Sequence, residues 1–89
     1  MDQLLKEFED NIYDLQIELN KLDKMVQGEK YTIATKNEID EKLVSYIIKI
    51  SMLNNNQLFD KYKTKIEDLL TFCKEIKLKN YRKPIKETI

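Results

Sequence analysis

Leu5, Phe8, Ile12, Leu15, Leu19, Leu22 and Val26 follow one another at unbroken alternating steps of three and four residues. A helix turns once every 3.6 residues, so this spacing lines all of them along one face, the seam on which helices pack. Two further stripes follow, Ile39, Leu43, Tyr46, Ile50 and Leu53, then Phe59, Tyr62, Ile66, Leu69, Cys73 and Ile76. Burying each stripe residue of the first helix stabilises by roughly 1.5–3 kcal/mol. Ordering its backbone costs about 1–2 kcal/mol per residue, so that helix needs neighbours. The expectation is an all-α, antiparallel up-down-up three-helix bundle with a long first helix. Its 89 residues suffice for one domain with a thin core.

Helices are expected at about 2–27, 36–53 and 57–78. Gly28, the one glycine, stands where a helix ends in a left-handed residue. In the connector, Tyr31 and Ile33 alternate as if both tuck over the end of the bundle. Thr35-Lys36-Asn37-Glu38 reads as a capping box opening the second helix. Asn54-Asn55-Asn56 reads as a short turn, which makes helices two and three antiparallel neighbours. Residues 79–89, polar, basic and with Pro84, read as a flexible tail.

The chain holds 16 basic and 16 acidic residues, unevenly placed. Residues 1–28 carry seven acids against three lysines, a balance of −4; residues 55–89 carry nine bases against five acids, a balance of +4. The expected use is attraction that fixes the register of antiparallel neighbours. Nucleic acid is disfavoured, because Arg82 is the only arginine and arginine is the usual bidentate reader of bases and phosphates.

No residue pattern carries catalytic chemistry. Without histidine, histidine triads and Cys/His zinc sites are excluded, and one glycine cannot build a phosphate-cradling loop. Asp10, Asp14 and Glu18 stand one turn apart as a solvated acidic face. No cofactor and no small-molecule substrate are expected. Cys73, the lone cysteine, sits on a core stripe as a buried structural thiol, and the expected setting is cytoplasmic or otherwise intracellular. The longest apolar stretch, Leu43 to Ile50, is interrupted by Ser45 and Lys49 and is too short to span a bilayer.

Apolar residues off the stripes mark candidate contact surfaces. Tyr13 and Ile17 lie one turn apart on the first helix, beside Asp10 and Asp14. Val44, Ile48 and Met52 form a ridge behind the stripe of the second helix, of a kind that a partner helix or a second copy would cover. The expected function is therefore non-enzymatic: a helical protein-binding module such as a small adaptor, inhibitor or immunity or antitoxin-like protein. A homo-oligomerisation element is the alternative.

The order of parts also resembles the BAG domain, a three-helix co-chaperone module. A long acidic helix ends in Leu22-Asp23-Lys24-Met25-Val26-Gln27-Gly28, a second ends in Ile47-Ile48-Lys49-Ile50-Ser51, and a third bears lysines. The likeness covers about residues 15–78. It implies regulation of a DnaK-type chaperone ATPase, with Glu41 and Lys63 as contact residues. The chain departs from the family pattern at Ser51, Tyr62 and Leu70, where an acid, an arginine and a glutamine are expected.

Overall fold

The computed structural model describes residues 2–29, 31–54 and 59–85. Three helices fill them: α1 (Asp2–Gln27), α2 (Ile33–Asn54) and α3 (Phe59–Arg82). They form an all-α bundle measuring 56 × 19 × 16 Å. Cross-helix contacts fix its sense. Phe8 and Glu9 meet Tyr62, and Asp23 meets Lys79, so α1 and α3 run parallel. Glu18 meets Tyr46 and Asp40 meets Asn80, so α2 runs against both. The topology is up-down-up.

Phe59 aside, whose side chain lies outside the described residues, the stripes form the core as their spacing requires. Leu19, Ile39 and Ile76 are wholly enclosed, and Phe8 through Val26, Ile39 through Leu53 and Ile66 through Ile76 make one continuous cluster. Leu5, at the start of the first stripe, is half-buried. Tyr62 and Leu70 pack against the cluster from the side, as do Phe72 and Ile47. At Tyr62 the backbone leaves helical geometry, with φ −112° and ψ 17°, and α3 kinks there. The tyrosine ring lies 5.4 Å from that of Phe8, and its hydroxyl donates to Glu9 Oε1 at 2.7 Å.

Five expectations are corrected. The second helix begins at Ile33, because Thr32 rather than Thr35 is its cap. Thr32 Oγ1 accepts the amide of Thr35 at 3.1 Å, and Thr32 O accepts the first helical bond from Lys36. Ile33 therefore lies on the first turn and stays half-exposed, while Tyr31 alone is buried at the end of the bundle. Gly28 does not adopt a left-handed conformation. Its amide instead closes a tight last turn on Met25 O at 3.2 Å, and a Cβ there would sit 3.3 Å from the same oxygen.

Residues 79–82 are not part of a loose tail. Helix α3 continues to Arg82, and Asn80 is completely buried. Asn80 takes the next seat of the stripe, four residues beyond Ile76. The charge imbalance joins parallel rather than antiparallel neighbours, since α1 and α3 run the same way; Lys79 pairs with Asp23 at 3.0 Å. The Asn55–Asn56 part of the expected turn, the helix start at Gln57 and residues 86–89 lie outside the described residues.

Candidate protein-binding surface

The outward face of α2 is built by rotation. Each step of four residues advances about 40° beyond one full turn, so Val44, Ile48 and Met52 cross the helix obliquely. Val44 reaches a groove of about 170 Å³ between α2 and α3, lined also by Leu43, Ile47, Lys77 and Tyr81. Met52 reaches a groove of about 430 Å³ between α2 and α1, lined also by Leu15, Leu53, Asp14 and Lys49. Ile48 stands between them on the side opposite the core stripe. All three are exposed, at 59%, 56% and 68%. Ser45 and Ser51, both exposed, flank Ile48 with small side chains.

Of the other expected contact residues, Glu41 lies one turn before Val44 on the same outer face of α2, and Tyr13, Ile17 and Lys63 lie elsewhere. Tyr13 is exposed on α1 and lines a groove of about 460 Å³ with Glu9, Asp10, Tyr62, Lys65 and Leu69, on the α1–α3 side of the bundle. Ile17 is half-buried. Glu41 is exposed on α2 near the level of Asn80, whereas Lys63 is exposed at the opposite end of α3. At 1.5 Å rise per residue they stand roughly 24 Å apart along the bundle. Tyr81, 78% exposed beside Val44, is an apolar contributor hidden in the sequence by its basic neighbours. Lys36 Nζ lies 5.8 Å from the centre of its ring.

The remaining polar groups hold the scaffold together. Tyr46 OH donates to Glu18 Oε2 at 3.1 Å, joining α2 to α1. Burial and then this bond to Glu18 raise the Tyr46 hydroxyl above the ordinary tyrosine range. Glu18 is lowered, first by its bond to Lys21 and then by that to Tyr46. At the far end, Asn80 Nδ2 donates to Asp40 Oδ1 at 2.7 Å and to Lys36 O at 3.2 Å. Tyr31 OH donates to Asn80 O at 3.4 Å. Lys83 Nζ donates to the carbonyls of Val26 and Gly28, satisfying the end of α1, and lies 5.3 Å from the centre of the Tyr31 ring.

Chemistry is sparse among the described residues. No three His, Cys, Asp or Glu side chains converge to hold a metal ion. The Cys73 thiol is enclosed, and burial pushes it up to about 11, where little nucleophilic thiolate forms at neutral pH. Among the described residues, no helix is long and apolar enough to cross a membrane. The chain matches no protein-family model, no curated protein and no solved structure.

Proposed function

We propose that this chain is a non-enzymatic helical protein-binding module whose contact surface is the outer face of α2. The observation that carries this reading is the exposure of Val44, Ile48 and Met52 on one oblique ridge. None of the three belongs to the core cluster of the described residues, so burial in the bundle does not account for their apolar character. Apolar surface gathered in one place on a small protein favours association, at about 25 cal/mol per Å² removed from water. The scaffold suits this role, because pairwise polar links between the helices hold α2 in place behind its exposed face.

The BAG resemblance places contact residues at Glu41, one turn before Val44, and at Lys63 on α3. With those two set far apart, a partner engaging both would have to span most of the α2–α3 pair. The ridge is the more compact surface and is the one proposed here.

The test is site-specific photo-crosslinking in the native cells. A benzophenone side chain replacing Ile48 should form a discrete covalent protein adduct, and one replacing Lys74, exposed on α3, should not. Absence of an adduct from position 48 overturns the reading.

A further inference from the structure

The parallel run of α1 and α3 leaves one end of the bundle acidic. Residues 2–18 of α1 carry six acids against Lys6 alone. Beside them, residues 60–68 of α3 carry three acids and three lysines, and residues 43–53 of α2 add only Lys49. The bases that would balance α1, Lys74, Lys77 and Lys79, lie at the far end, where Lys79 pairs with Asp23. The acidic half of α1 is therefore not neutralised by its neighbours.

The groove between α1 and α3 opens at this same end. Ile12 and Leu69, both buried, form its floor, and Tyr13 and Tyr62 line its sides. Glu9, Asp10 and Asp68 stand exposed at its rim, against one lysine, Lys65. Its volume, about 460 Å³, is that of a ligand-binding cleft. Ile17, half-buried one turn beyond Tyr13, continues the apolar lip. One side of the groove is fixed in advance: the Tyr62 ring lies against Phe8, its hydroxyl bonds Glu9, and the kink of α3 falls there. Tyr13 is 66% exposed, and among the described residues no hydrogen bond or ring contact engages it.

These features match one chemistry. Aromatic faces attract cations, carboxylates pair with them, and an apolar floor accepts a methylene stem. Arginine meets all three demands, because its planar head stacks on a ring while its fork bonds a carboxylate. A lysine ammonium is compact and strongly hydrated, and it makes no use of a flat wall. The groove is open along its length, so it suits a side chain presented by another protein. A helix lying along it would bring arginine to the tyrosines and an apolar neighbour to Ile17.

We propose that the α1–α3 groove is a second docking site, whose occupant is a basic amphipathic helix of a partner protein that sets arginine against Tyr13, Asp10 and Asp68. This site is separate from the α2 ridge, and neither surface requires the other. Because opposite charges draw the partner in, attachment weakens as salt rises.

The experiment is an NMR titration of the full chain with an alanine–leucine helical peptide bearing arginines one turn apart. The peptide should shift the amides of Asp10, Tyr13 and Leu69 saturably and leave that of Ile48 fixed. Asp10→Asn with Asp68→Asn should raise the dissociation constant at least about tenfold. Tyr13→Ala should do the same although every charge stays in place. All three residues are exposed, so these variants should unfold as the wild type does. The same peptide with glutamate for arginine should not bind. Absence of saturable shifts, shifts centred on Ile48, equal binding of the glutamate peptide, or unchanged affinity in either variant overturns the proposal. Free arginine amide binding as tightly as the peptide overturns the protein helix as occupant.

Discussion

Asn80 holds Asp40 across the α2–α3 seam, its amide nitrogen 2.7 Å from the carboxylate Oδ1, while its own side chain is entirely enclosed. The same nitrogen reaches Lys36 O, so both amide hydrogens have acceptors, whereas Asn80 Oδ1 has no partner among the described residues. A polar residue thus occupies a seat that the stripe Ile66–Leu69–Cys73–Ile76 would give to an apolar one. Its bonds fix the alignment of the ends of α2 and α3, and its unpaired oxygen costs about 1–3 kcal/mol.

Asn80→Asp should accordingly destabilise by more than about 2 kcal/mol at neutral pH, because a carboxylate would be buried against Asp40. Asn80→Leu should cost less than about 1 kcal/mol, since it removes the unpaired oxygen and Asp40 can be solvated. Urea denaturation of both variants checks this. Equal losses would mean that the seat is a matter of volume alone.

The start of α2 gives a second contrast. Thr32→Ala removes the cap and should cost about 0.5–2 kcal/mol. Thr35→Ala leaves the cap bond to its backbone amide intact and should stay within about 0.5 kcal/mol. A reversal of the two, measured by thermal unfolding, would restore the later helix start.

In the core, Leu19→Ala should cost about 2–5 kcal/mol, because Leu19 is fully enclosed midway along the α1 stripe. A loss below about 0.5 kcal/mol would show that α1 does not pack as described.

Alkali should weaken the fold through its raised tyrosines and its buried thiol. Burial raises the Tyr31 and Tyr46 hydroxyls and lifts the Cys73 thiol to about 11, while the bond to Glu9 raises Tyr62. A group whose folded value lies above its unfolded value binds more protons when folded, so its stabilisation is complete below the unfolded value. For Cys73 that contribution declines as pH rises from about 9, its ordinary value, through about 11; the tyrosines act from about 10 upward. Denaturation midpoints should fall across this window, and less steeply in Cys73→Ala. A midpoint that rises there would contradict the burial of these groups.

Much of this architecture is legible in the sequence, for a physical reason. Apolar spacing reports helix faces directly, so the span of α1, the three stripes and the oblique ridge Val44–Ile48–Met52 can be read without coordinates. Caps are less legible. Thr32 and Thr35 each offer a hydroxyl three residues before a plausible partner, and only the folded backbone, with the Thr35 amide on Thr32 Oγ1, distinguishes them. The end of α3 is hidden for another reason: Asn80 holds a core seat with a polar side chain, and an apolar pattern cannot register it. Tyr81 is overlooked likewise, among Lys79, Arg82 and Lys83.

The central claim is that the exposed ridge Val44–Ile48–Met52 on α2 is a protein-contact surface. Its most direct test is photo-crosslinking from position 48 in the native cells. A discrete covalent adduct from position 48, with none from position 74, is the result expected. No adduct from position 48, or equal adducts from both positions, would contradict the claim.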